Sequence, residues 1–165
     1  MPTLAVISDV HDNLANLQKA LDYITDHKID YLICLGDLQS LEAWQMLDAL
    51  SMPAWGVHGN ADSYGWQLKD LKNIKVFEEF GEVTLADKNI IFCHYPEIVK
   101  KFIMDKVGKY QLALHGHSHK PWEENYHGTK ILNPGNVANI RYAPSFAIID
   151  LDTLQAKLIL INEIK

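Results

Sequence analysis

Leu4-Ala5-Val6-Ile7-Ser8-Asp9-Val10-His11-Asp12-Asn13-Leu14 is the stretch that decides the fold. Residues 4–8 form a short apolar run bounded by polar residues, the pattern of a strand buried on both faces. Asp12 or Asn13 can then cap a helix, and Leu14, Leu17, Leu21 and Ile24 give that helix one apolar stripe. The unit repeats. Residues 31–35 predict a second strand followed by Gly36-Asp37, residues 41–50 a second helix, and residues 54–57 a third strand ending at His58-Gly59-Asn60. Strand–helix alternation of this kind predicts parallel pairing.

The second half is richer in strands. Residues 82–85 and 89–93 read as a hairpin around the polar turn 86–88. A helix is expected over 97–106 and a short strand over 112–114, which runs into His115-Gly116-His117-Ser118-His119. Further strands are expected at 122–126, 130–132, 145–149 and 156–161, the last two flanking a turn at 150–153. The expected class is α/β, beginning parallel and finishing in antiparallel hairpins.

Composition bounds the function. The 165 residues are 48% hydrophobic and 22% charged, ordinary for one globular domain spanning 1–165, and no repeat or linker interrupts them. No apolar run approaches the ~20 residues of a membrane helix. The N-terminus has no basic segment and meets Ser8-Asp9 too soon for a signal peptide. Cys34 and Cys93 lie in apolar runs and read as buried, reduced thiols of a cytoplasmic protein. A net charge of −6 excludes a surface that attracts long nucleic acid or anionic lipid, and leaves a small phosphate-bearing substrate possible at one local site. Monomer and homo-oligomer are equally compatible with the sequence.

The chemistry gathers after strands. Asp9 and His11, Asp37, Asn60, His94, and His117 with His119 follow five predicted strand ends, where open α/β sheets bind ligands. Asp9/His11 and His117/His119 are pairs two residues apart, which in extended chain aim both side chains at one point. Carboxylate, carboxamide and imidazole without thiolate suit Mn²⁺, Fe or Zn²⁺. These seven donors exceed one tetrahedral ion and suit two, with Asp37 the candidate bridge and a bridging hydroxide the nucleophile. Asp37, Asn60 and His94 are the candidate catalytic residues. Each residue alone has a plainer reading: Asp9 as a helix cap, Asp37 and Asn60 as turn residues, His94 as a hydrogen-bonded core histidine. Their joint placement at strand ends is what those readings leave unexplained.

At this point the chain resembles the calcineurin-like metallophosphoesterases. Asp9-Val10-His11, Gly36-Asp37, Gly59-Asn60, the isolated His94 and Gly116-His117-Ser118-His119 follow the order of that family's signature. Asn133-Pro134-Gly135 resembles an element of its small prokaryotic phosphodiesterase branch. The resemblance implies a four-layer αββα sandwich of two mixed sheets with flanking helices. It implies one divalent ion on Asp9, His11, Asp37 and His119, and another on Asp37, Asn60, His94 and His117. Mn²⁺ is the expected metal, with Ni²⁺, Fe or Zn²⁺ as alternatives, and phosphodiester hydrolysis the expected reaction. Asn133, Gly135 and Arg141 are candidate substrate contacts.

The chain departs from the family pattern in three places. Ala61 follows Asn60 where a histidine often acts as general acid, His94-Tyr95-Pro96 replaces a common His-Gly-His, and Asn136 stands where Ser is usual. No departure removes a metal ligand. Among the other histidines, His115 reads as a structural neighbour of the metal pair, His58 as packed or functional, His27 as a helix-end residue and His127 as a loop residue. Trp44, Trp55, Trp66 and Trp122 read as core residues before substrate stackers.

The alternative is a metal-binding interaction scaffold resembling the retromer subunit that shares this fold. A complete donor set argues for the enzyme, because a pure scaffold has no use for all of it. The His-x-His-x-Asp-His pattern of metallo-β-lactamases is absent, and the first strand ends in Asp-x-His, unlike the His-x-His of amidohydrolases.

Overall fold

The computed structural model describes residues 1–62 and 67–165. Trp66 lies outside the described residues. The chain forms β1 (Thr3–Ile7), α1 (Leu14–Asp26), β2 (Tyr31–Cys34), α2 (Leu41–Asp48), β3 (Ala54–Val57), β4 (Ile74–Phe77), β5 (Phe80–Leu85) and β6 (Lys88–Cys93). It continues with α3 (Pro96–Asp105), β7 (Leu112–Leu114), β8 (Trp122–Tyr126), β9 (Thr129–Asn133), β10 (Ser145–Asp150) and β11 (Ala156–Leu160). Single 3₁₀ turns cover Gln67–Asp70 and Ile161–Glu163.

The strands form two mixed sheets, ordered β11-β10-β1-β2-β3-β4 and β5-β6-β7-β9-β8. The β1–β4 neighbours pair in parallel, as the strand–helix alternation requires, and β10 lies antiparallel to β1. In the second sheet β6, β7 and β9 are parallel, edged by antiparallel β5 and β8.

Side-chain alternation sorts these strands into three cores. In β1, Leu4 and Val6 face the second sheet while Ala5 and Ile7 face α1 and α2. In β6, Ile90 and Phe92 face the first sheet while Ile91 and Cys93 face α3. Every such strand is covered on both sides, which is why its sequence is apolar without a polar face. Three cores between four layers make the αββα sandwich, with the inter-sheet core in the middle.

Local expectations were met with small changes. Asn13, not Asp12, caps α1, accepting the Asn16 N–H at 3.1 Å. Helix α2 stops at Asp48, and α3 begins at Pro96, whose ring suits a first helical position. The hairpin turn is two residues, Ala86 and Asp87, with φ of 46° and 60°, the left-handed pair that matches strand twist. Strand β4 was not expected from the sequence. The carboxylate of Asp48 at the end of α2 ties it down, accepting the N–H groups of Lys72, Asn73 and Ile74 at 2.9, 2.6 and 3.0 Å. Both cysteines are buried free thiols, and burial pushes the Cys93 pKa up to about 12. Among the described residues no helix is long and apolar enough to cross a membrane.

Candidate metal centre

The loops after β1, β2, β3, β6 and β7 meet at one end of the sandwich. Main-chain bonds extend the β1–β2 pairing beyond the strands: Asp9 N–H reaches Gly36 O at 3.0 Å and His11 N–H reaches Asp37 O at 2.9 Å. Gly116 N–H donates to His94 O at 3.0 Å, and His117 N–H crosses between sheets to Asp9 Oδ2 at 3.1 Å. Two glycines allow this closeness. A Cβ on Gly59 would collide with the backbone and carboxylate of Asp37, and one on Gly116 with the side chains of Ser8 and Asp9.

Two groups of potential ligand atoms result: Asp9, His11 and His119 form one, and Asp37, His94 and His117 the other, with the atoms of each within 4.8 Å of one another. In the first, His119 Nε2 stands 3.1 Å from His11 Nε2 and 3.2 Å from Asp9 Oδ1. In the second, His94 Nε2 stands 3.2 Å from His117 Nδ1 and 3.4 Å from Asp37 Oδ2. Asp37 Oδ2 is also 3.6 Å from His11 Nε2, so this one oxygen lies between the groups. Its sister oxygen is occupied by the Ala61 N–H at 2.8 Å.

The expectation that residues two apart aim at one point needs correction. Asp9 and His11 do share a group, but His117 and His119 separate into different groups. Neither pair is extended. Asp9, His11, Asp37, His117 and His119 all have left-handed backbone, with φ of 54°, 44°, 56°, 68° and 60°. For residues with a side chain this conformation costs roughly 1–2 kcal/mol each, and such strain collects where a site demands it.

The donor set fits divalent metal. Asp9 is fully buried, its Oδ2 takes the Ser8 hydroxyl at 2.6 Å, and its Oδ1 faces the site with no hydrogen-bond partner among the described residues. An unpaired buried carboxylate oxygen is costly unless something positive meets it. Charge inside the site is already polarised. Burial opposes ionisation of Asp37, but His94 and the Ala61 N–H outweigh it and hold the carboxyl below its ordinary value. Burial opposes protonation of His94, but Asp37 prevails and raises it, and the Asp9 carboxylate likewise raises His119. The His94 Nδ1 lies 2.7 Å from Leu35 O, which leaves Nε2 aimed at Asp37.

Asn60 is exposed in the turn after β3, one residue before the Ala61 N–H that holds Asp37. Asn133 and Gly135, expected at the substrate, are buried. The Asn133 amide is spent on Gly116 O at 2.9 Å, Ser118 Oγ at 3.0 Å and the Gly135 N–H at 2.9 Å. These two residues brace the histidine loop from beneath. Arg141 is exposed on a loop joined to the β1 loop through Ala138 N–H and Asp9 O. His115 is buried against Gly116 O, and burial lowers its pKa. His58 packs edge-on to the buried Trp44, and His27 stacks on Tyr23 at the end of α1. His127 lies in the β8–β9 turn. Trp55 is half-buried, and Trp122 is 50% exposed and so not a core residue.

Sequence reading missed Asp62. Its Oδ2 accepts the N–H groups of Asp37 and Gly59 at 2.7 and 2.8 Å, and its Oδ1 those of Leu38 and Gln39 at 2.9 and 3.0 Å. One carboxylate therefore binds the β2 loop to the β3 loop. The signal was present in Gly59-Asn60-Ala61-Asp62, a turn composition in which Asp bonds nearby backbone. Its reach to residues 37–39 is purely tertiary.

The calcineurin-like phosphoesterase superfamily domain matches residues 3–154. Phosphodiesterase MJ0936 of Methanocaldococcus jannaschii is 26% identical over 156 residues, covering 90% of this chain and 93% of that protein. The fold superposes on an archaeal phosphodiesterase with a TM-score of 0.87 at 23% identity, over 96% of this chain and 99% of that one. It also superposes on Vacuolar Protein Sorting 29 from Cryptosporidium parvum, with a TM-score of 0.73 at 20% identity, over 96% and 95%. Superposition at such identities shows the shared fold, and the domain match shows the family: this chain belongs to the calcineurin-like phosphoesterase superfamily.

Proposed function

We propose that the protein is a metal-dependent hydrolase of small phosphodiesters. Asp9, His11, Asp37 and His119 would hold one divalent ion, and Asp37, Asn60, His94 and His117 the other, with Mn²⁺ the first candidate. The observation that carries this reading is the single Asp37 oxygen lying between two ligand groups. Such ions supply Lewis acidity and a water nucleophile at neutral pH.

The chain's own groups set the rest. Asp9 and Asp37 supply two negative charges against the four of two divalent ions, and a hydroxide between the ions would supply a third, so the centre would keep a single positive charge that suits a singly charged diester. A monoester near neutral pH carries about −1.5 to −2 and calls for added cations. Few cations lie close in sequence to the site motifs, chiefly Lys120, Lys130 and Arg141. The Asn60 amide NH₂ would donate to a phosphate oxygen. Ala61 has no proton to give a leaving group, so good leaving groups are favoured. The complete donor set sets this reading above that of an interaction scaffold.

The test compares kcat/KM for bis(p-nitrophenyl) phosphate and p-nitrophenyl phosphate with the same bound metal. The diester should win. A clear preference for the monoester at neutral pH overturns the assignment.

A further inference from the structure

The Gln39 carboxamide has its Nε2 2.9 Å from His11 Nδ1. A carboxamide can present either its oxygen or its NH₂ to a partner by turning about its last torsion, so this contact has two possible senses. The opposite side of the ring selects between them. His11 Nε2 faces Asp9 Oδ1 at 3.9 Å, Asp37 Oδ2 at 3.6 Å and His119 Nε2 at 3.1 Å. A neutral imidazole carries one N–H, and a ligating nitrogen must be bare. If Nε2 is to bind metal, the proton sits on Nδ1 and its partner must accept.

We propose that Gln39 is a positioning residue for His11, its Oε1 accepting the Nδ1–H and so keeping Nε2 bare toward the first ligand group. This rests on the reading of His11 as a metal ligand. His94 shows the same arrangement with no choice of sense, because its Nδ1 meets a main-chain carbonyl, Leu35 O, which can only accept. Gln39 is held for the task. Its backbone is left-handed with φ of 72°, its N–H is fixed by Asp62 Oδ1 at 3.0 Å, and the next residue, Ser40, caps α2. The loop that delivers Asp37 to both groups thus also delivers the partner of His11. Outer partners of this kind orient metal-bound histidines and raise their basicity.

The test uses the metal-free full chain titrated calorimetrically with Mn²⁺, in wild type, Gln39→Met and Gln39→Glu. Met keeps the length and removes both amide functions, while Glu keeps only acceptors. Gln39→Met should weaken one of two ions about 10–100-fold and spare the other. Gln39→Glu should bind both at least as well as wild type. Unchanged binding in Gln39→Met overturns the proposal, as does equal damage in Gln39→Glu, which would mean that the amide donates. Should wild type take up no ion, the metal reading fails and takes this one with it; two ions in wild type with indifferent variants sink only the role of Gln39. If Gln39→Met does not fold, ¹⁵N NMR of metal-free wild type under alkaline conditions decides: a proton on Nδ1 of His11 upholds the proposal and one on Nε2 overturns it.

Discussion

The carboxylate of Asp37 meets the imidazole of His94 at 3.4 Å, Oδ2 to Nε2. Its other oxygen is anchored on the Ala61 N–H, so one oxygen is fixed and the other is left to the site. Asp37→Ala should abolish hydrolysis and lower the bound metal from two equivalents, because it removes the one oxygen that lies between the two groups. Elemental analysis of the dialysed variant checks this, and two tightly retained ions would contradict a bridging role.

Asn60→Asp keeps an oxygen ligand and replaces the NH₂ donor with negative charge. Metal content should stay at the wild-type value while kcat falls about 10²–10³-fold, the usual cost of a lost transition-state donor. A defect rescued by excess metal would instead assign Asn60 to ligation alone.

Asp62→Ala deprives four backbone donors, on Asp37, Leu38, Gln39 and Gly59, of one carboxylate. The expected loss of stability is about 3 kcal/mol, since hydrogen bonds to charged groups are the strong ones and unpaired donors are costly. Urea unfolding of the metal-free protein measures it. Asp62→Asn, which retains an acceptor, should fall between the two.

Acid should act through Asp48. Burial opposes its ionisation, but the N–H groups of Asn73, Ile74 and Lys72 outweigh this and hold its pKa below the ordinary 3.8. A carboxyl depressed in the folded state stabilises above its unfolded pKa, and the gain is lost as pH falls through the folded one. Asp48→Asn should therefore destabilise near neutrality by about 1–2 kcal/mol. The gap from wild type should close as pH falls below the ordinary carboxyl range, which unfolding curves at several pH values would reveal.

The parts of the fold legible in the sequence were those in which each strand carries its own apolar run. Residues 4–7 and 90–93 are buried on both faces and needed no knowledge of their partners. Strand β4 was not legible, because Ile74-Lys75-Val76-Phe77 is four residues with an exposed lysine and becomes a strand by pairing with β3. The residues that gather at the candidate site were legible through their spacing after strands. The division of His117 from His119 came only with the family resemblance and not from the spacing, because it depends on left-handed backbone at residues whose side chains disfavour it. Asp62 and Gln39 escaped notice for another reason: their partners, Gly59 apart, lie more than twenty positions away, on loops that only the folded chain brings near.

Each ligand group takes members from both sheets, Asp9 and His11 with His119, and Asp37 with His94 and His117. The centre therefore works as a clasp across the inter-sheet core. A small slide of one sheet over the other would open both halves together, so loading with metal should slow amide exchange on both sheets at this end of the sandwich and leave the far hairpin ends nearly unchanged.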